Sequence, residues 1–157
     1  QQGLEIEYAL IGIGDEQGYL QELASELNVT EHVHFLGHVS YEDLPRWYHA
    51  CDLFAMPNRD IDGDSEGFGL VFLEAAASGK PAIAGKAGGT SSAVIDGVTG
   101  LLVDGENISD IVAAIKHVLK HPEEASGMGK AARQRVLENF IHKRRVDQLR
   151  DLVLKKK

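Results

Sequence analysis

Two kinds of stretch alternate along this chain. Short apolar runs end at glycine or proline, as buried strands do, and longer stretches space their apolar residues three or four apart, as amphipathic helices do. The runs predict strands at Ile6–Ile13, stopped by Gly12 and Gly14, at Val33–Leu36, closed by Gly37, and at Leu53–Met56, stopped by Pro57. Two more are expected at Pro81–Ala84 and Gly100–Val103. Between them, about Gln17 to Leu27 places Leu20, Leu23, Ala24 and Leu27 on one helical face. Ser40 reads as the N-cap of a short helix with Asp43 at its third position and Leu44, Trp47 and Tyr48 facing inward. A small apolar helix is expected from about Leu70 to Ser78, with Gly79 at its C-terminal cap and Gly88-Gly89 as a later turn. The last third reads as three helices: Ile108–Lys120, about Ala125–Asn139, and Lys143–Leu154.

Strand–helix alternation with short connections predicts βαβ units, and hence an α/β fold with a doubly wound parallel sheet in one Rossmann-like domain spanning residues 1–157. Such sheets bind ligands in the loops at the carboxyl ends of their strands. Here those loops are 12–16, 37–40, 57–69, 85–90 and 103–107.

Composition removes several classes of function. The formal net charge of −8 disfavours nucleic acid as a partner. No apolar run approaches the ~20 residues of a membrane span, and the first residues lack the pattern of a secretory signal. A single cysteine, Cys51, fits a reducing compartment and reads as a small buried residue rather than a nucleophile. These features predict a cytoplasmic protein. The charge is uneven, however: seven Lys or Arg residues lie between His142 and Lys157 against Asp147 and Asp151. That amphipathic segment is compatible with peripheral contact to anionic lipid at the inner membrane face, although packing on the domain is the favoured reading.

The chemistry concentrates in residues 64–79, where Glu66 and Glu74 stand eight positions apart across a glycine loop and a helix start. Gly67 and Gly69 let backbone amides approach a ligand, and the helix N-terminus behind them favours a phosphate. Glu74 lies on the first turns among apolar residues, where a ribose diol would supply two hydroxyl donors. Other motifs fail. Gly12-Ile13-Gly14 does not complete a dinucleotide glycine motif, because Gln17 holds its last position. Asp60, Asp62 and Asp64 lack the glycine and glutamate spacing of a calcium loop and read as a solvated acidic loop. His32 and His34 share a strand face without a third convergent ligand, so no metal site is assigned.

The Glu66–Glu74 spacing resembles the E-x7-E motif of family-4 retaining glycosyltransferases, which have the GT-B fold. The resemblance extends in order through Phe35-Leu36-Gly37-His38-Val39, Tyr48 with Ala50-Cys51-Asp52-Leu53, Met56-Pro57, Glu66-Gly67-Phe68-Gly69, Leu73-Glu74-Ala75 and Gly79-Lys80-Pro81. It continues through Gly88-Gly89 and Gly97-Val98-Thr99-Gly100-Leu101-Leu102-Val103, and residues 84–89 are similar to mannosyltransferases acting on lipid acceptors. The resemblance implies a three-layer half of a GT-B enzyme that transfers a sugar from a GDP- or UDP-linked donor to a lipid-linked or saccharide hydroxyl. It implies retention at the anomeric carbon, with no cofactor and no catalytic metal. Glu66 would meet sugar hydroxyls near the reacting carbon. The amides of Gly67, Phe68 and Gly69 would hold sugar and diphosphate, those of Leu70 and Val71 the phosphate, and Glu74 the ribose. The loop around Gly37 and Val39 would border the base, and Gly14 would face the cleft.

This sequence departs from the family by offering only Thr90, Ser91 and Ser92 where a glutamate usually follows the Gly-Gly turn. The resemblance also places a diphosphate-clamping Arg and Lys, a first strand–helix unit and an acceptor-binding domain upstream, so the chain is expected to be a donor-domain fragment. Two other functions fit the same residues: a sugar-nucleotide epimerase of this fold, and a non-catalytic nucleotide-binding module.

Overall fold

A computed structural model describes residues 4–60 and 67–141. The chain forms two compact units, Gln1–Leu44 and Pro45–Lys157.

In the first unit, strand β1 (Tyr8–Ile11) pairs in parallel with β2 (Val33–Gly37), connected through helix α1 (Gln17–Glu26) and a 3₁₀ turn at Thr30–His32. The register runs Tyr8 to Val33 and Leu10 to Phe35, then slips so that Ile11 faces Gly37. β1 is shorter than expected because Gly12, at φ 137°, leaves extended geometry and donates its amide to the Gly37 carbonyl at 2.9 Å. Glu7 bridges two imidazoles: Oε1 lies 3.0 Å from His32 Nδ1 and Oε2 lies 2.6 Å from His34 Nε2. The two histidines therefore share a face, as expected, and the carboxylate is what they face.

The second unit contains helix α2 (Leu44–Ala50, whose first residue closes the preceding unit), β3 (Phe54–Met56), α3 (Leu70–Ala77), β4 (Ala82–Gly85), β5 (Gly100–Val103), α4 (Ile108–Lys120) and α5 (Pro122–Asn139). The sheet is all parallel in the order β3-β4-β5, with Phe54 opposite Ala82 and Ala82 opposite Gly100. Alternation along β4 builds two cores. Ala82 and Ala84 pack with Phe72, Ala93 and Val94 on one side, and Ile83 packs with Val103, Ala114 and Val118 on the other. Three layers result, with α3 on one face and α4 on the other. This is the Rossmann-like α/β class that the pattern predicts.

Local chemistry fixes the helix ends. Asn107 accepts from the amides of Ser109 and Asp110 at 3.0 and 3.2 Å, an N-cap for α4. Gly79, at φ 74°, closes α3 in the left-handed conformation, where the Lys80 amide reaches back to the Ala75 carbonyl at 3.0 Å. α5 starts earlier than its apolar periodicity indicates, because Pro122 is suited to a first helical turn and Glu123 and Glu124 complement the dipole. Ser40 does cap the approach to α2, accepting from the Asp43 amide at 3.2 Å. Of the three residues expected to face inward there, Tyr48 is buried, whereas Trp47 remains 38% exposed. The third helix of the last segment lies outside the described residues.

Candidate functional site

The carboxyl edge of the three-stranded sheet is assembled from main chain. Asn58, just past β3, accepts from the Gly85 amide through Oδ1 and donates through Nδ2 to the Ala87 carbonyl, both at 3.0 Å. A Cβ at Gly85 would sit 1.7 Å from the Asn58 carbonyl oxygen, and one at Gly105 would sit 2.4 Å from it. Only glycine lets the three strand ends approach this closely. The Gly88-Gly89 turn is secured by Thr90, fully buried, whose hydroxyl lies 2.6 Å from the Gly85 carbonyl and 2.9 Å from that of Ala87. A Cβ at Gly89 would lie 1.9 Å from the Gly67 carbonyl oxygen, so this turn abuts the loop leading into α3.

In that loop Gly69 adopts φ 75° and ψ 65° immediately before the first turn of α3. Phe72 donates its amide to the Gly69 carbonyl at 3.0 Å. The amides of Leu70 and Val71 precede any carbonyl partner within the helix, which leaves their dipoles for a ligand. Leu70 is 67% exposed. Glu74 follows one turn later on the same face, half-buried, and its Oε2 accepts from the Tyr48 hydroxyl at 3.0 Å. Phe68 packs its ring on Phe140 at 5.9 Å, and Arg135 lies 4.9 Å over the Phe140 ring. The Arg135 guanidinium also donates to the carbonyls of Ala93 and Ser92 at 2.8 and 2.7 Å. Partial burial lowers its pKa from the ordinary arginine value. α5 thus braces both glycine segments of the site.

The expected site residues therefore fall into two groups. Gly67, Phe68, Gly69, Leu70, Val71 and Glu74 form one continuous arrangement at the head of α3. Gly14, Gly37 and Val39 belong to the first unit, where the loops after β1 and β2 are neighbours through strand pairing. Glu66 lies outside the described residues.

Sequence reasoning missed four contributors: Asn58, Tyr48 as partner of Glu74, Thr90 as the lock of the turn, and the Arg135–Phe140 brace. The hydroxyls noted where the family has a glutamate divide their roles. Thr90 turns inward, and Ser91 and Ser92 stay exposed.

One metal-capable group occurs among the described residues, at the α4–α5 junction. His117, His121 and Glu124 bring a ligand atom each within 4.8 Å of one another. Their contacts are those of a helix junction, with a His121 ring nitrogen on the His117 carbonyl at 2.7 Å and His117 Nε2 on Glu124 at 3.0 Å. Among the described residues no helix is long and apolar enough to cross a membrane.

A parallel sheet whose carboxyl edge presents a glycine loop, a helix N-terminus and a carboxylate is a Rossmann-like ligand-binding fold. The sequence profile described as "Glycosyl transferases group 1" matches residues 1–135, and the chain belongs to that family. It is 40% identical over 147 residues to the GDP-mannose-dependent alpha-(1-6)-phosphatidylinositol monomannoside mannosyltransferase of Mycolicibacterium smegmatis, covering 92% of this chain and 38% of the relative. It is 34% identical to the glycogen synthase of Mycobacterium tuberculosis, over 83% of this chain and 30% of that protein. Among solved structures, Anabaena HepE in complex with UDP superposes with a TM-score of 0.82 at 27% identity, over 96% of this chain and 41% of that one. Sucrose-phosphate synthase from Thermosynechococcus elongatus gives 0.78 at 29%, over 95% and 39%. The chain thus spans about two fifths or less of each of these proteins.

Proposed function

We propose that this chain is the donor-binding part of a retaining glycosyltransferase that moves a hexose from a nucleoside diphosphate to an acceptor hydroxyl. One arrangement carries the reading: left-handed Gly69 opens the first amides of α3 at the carboxyl edge of the sheet, and Glu74 stands one turn behind them. The diphosphate fits the amides of Gly67 to Val71 and the helix dipole, and the ribose fits the Glu74 carboxylate. Glu66 is assigned to the sugar near its anomeric carbon, and Gly14, Gly37 and Val39 to the cleft wall and the base. As the donor bond breaks, negative charge grows on the departing phosphate, and preorganised amides stabilise it most at that moment.

GDP-mannose is the preferred donor, supported by 40% identity to the mycobacterial mannosyltransferase. A UDP-sugar is the second reading, supported by the UDP-bound HepE neighbour. A lipid-linked or saccharide hydroxyl is the proposed acceptor. Contact of the basic C-terminal segment with anionic lipid would place the enzyme at the inner membrane face, and vesicle co-sedimentation with and without residues 142–157 checks it. Binding that is unchanged by the truncation would remove that assignment.

Calorimetry on the full-length protein tests the donor reading. GDP should bind more tightly than UDP, and Glu74→Gln should weaken nucleotide binding by about 1–2 kcal/mol through lost hydrogen bonds to a charged group. Glu66→Gln should leave nucleotide affinity unchanged and lower turnover with labelled GDP-mannose. If Glu74→Gln binds nucleotide as wild type does, the site is not at α3.

A further inference from the structure

The carboxylate assigned to the ribose is not left to find its own orientation. Tyr48, on α2, reaches Glu74 Oε2 at 3.0 Å, while Oε1 has no partner among the described residues. The phenol is itself held firmly. Its ring meets Phe54 edge-on at 5.7 Å and 63°, and Phe54 meets Phe72 at 5.5 Å and 78°. Tyr48 is 9% exposed and Phe72 1%, so this aromatic chain is rooted in the sheet core. Burial and the neighbouring carboxylate push the phenol far above its ordinary pKa of 10, so at physiological pH the hydroxyl keeps its proton and acts as donor.

A glutamate carboxylate, three rotatable bonds from the backbone, rotates unless something stops it, and rotation costs a ligand the entropy of fixing it. A buried O–H donor on one oxygen removes that freedom in advance. We propose that Tyr48 is a positioning residue for nucleotide recognition: it fixes the Glu74 carboxylate so that Oε1 meets the ribose hydroxyls, and it thereby sets the preference for a ribonucleotide over one lacking those hydroxyls. The inference rests on the assignment of Glu74 to the ribose.

The test is calorimetric titration of the full-length protein with GDP and with 2′,3′-dideoxy-GDP, run beside the corresponding uridine pair. Wild type, Tyr48→Phe and Glu74→Gln are compared, and Tyr48→Phe keeps the ring that packs on Phe54. Wild type should prefer the ribonucleotide by roughly tenfold, the scale of one to two hydrogen bonds to a carboxylate. In Tyr48→Phe the affinity for GDP should fall roughly three- to tenfold, while that for the dideoxy nucleotide stays as in wild type, so the preference collapses. Equal loss of both nucleotides would make Tyr48 a packing residue only and overturn the inference, as would an unchanged preference. A wild type that does not distinguish the two nucleotides would instead overturn the ribose assignment of Glu74, and the inference with it.

Discussion

The two units of this chain solve the same folding problem to different degrees. In Pro45–Lys157 the central strand β4 is buried along its whole length, and Phe72, Ile83, Val103 and Thr90 are each under 2% exposed. In Gln1–Leu44 the described residues include a single buried one, Ala24, and large apolar side chains such as Ile13, Tyr19 and Leu27 are 60% exposed or more. Both follow the same strand–helix–strand grammar. Among the described residues of the first unit, however, the two-stranded ladder has one helix, and such ladders are marginal by themselves. A third strand with helices on both faces gives β4 neighbours on every side. Secondary structure is thus a local property of this sequence, whereas burial depends on how many elements surround a strand.

The largest effect is expected where burial is complete. Phe72→Ala should cost about 3–5 kcal/mol, because the ring leaves a cavity between α3 and the sheet. Amide exchange reads this directly: in the wild type the buried β4 amides should exchange more slowly than those of β1, and the substitution should erase most of that gap. If β4 keeps its protection, the contrast between the units does not come from burial.

A smaller loss is expected at Thr90. Thr90→Val keeps the shape and removes the hydroxyl that serves the Gly85 and Ala87 carbonyls, at a cost of about 1–3 kcal/mol. A thermal melt with an unchanged midpoint would show that those carbonyls find other donors.

The smallest effect belongs to the exposed cluster of the first unit. Glu7 is held below its ordinary value of 4.5, first by hydrogen bonding to His32 and then to His34, and His32 is raised above 6.5 by Glu7. A depressed carboxylate stabilises above its unfolded value and loses that contribution as pH falls through the folded one. A raised imidazole stabilises below its unfolded value and loses the contribution as pH rises through the folded one. Both are present between 4.5 and 6.5. Protection factors for the β1 amides should therefore peak in that window and flatten in Glu7→Gln. A peak that persists in the variant would remove the cluster from the account.

Much of this was legible in the sequence. The five strands, α1, α3, α4 and the Gly79 cap follow from period and punctuation, each a signal within a dozen residues. The head of α3 was legible too, because glycines, helix start and carboxylate are contiguous. What stayed hidden joins residues far apart. Tyr48 and Glu74 are 26 positions apart, and Arg135 reaches the Ser92 carbonyl across 43. A tyrosine at a core position gives no sign of where its hydroxyl points. Trp47 stays 38% exposed for a related reason: helical period places it inward, but the period does not say whether anything stands opposite.

At Gly85, Gly89 and Gly105 a carbonyl oxygen occupies the place of a side chain, so any substitution there has to displace main chain. If the proposed donor site lies here, its preference is expected to change through exposed side chains nearby, such as Leu70 and Ser91. A site built this way separates its mutable part from its fixed part by construction. Libraries restricted to the surrounding positions should yield altered preference without loss of folding, whereas alanine at any of the three glycines should not.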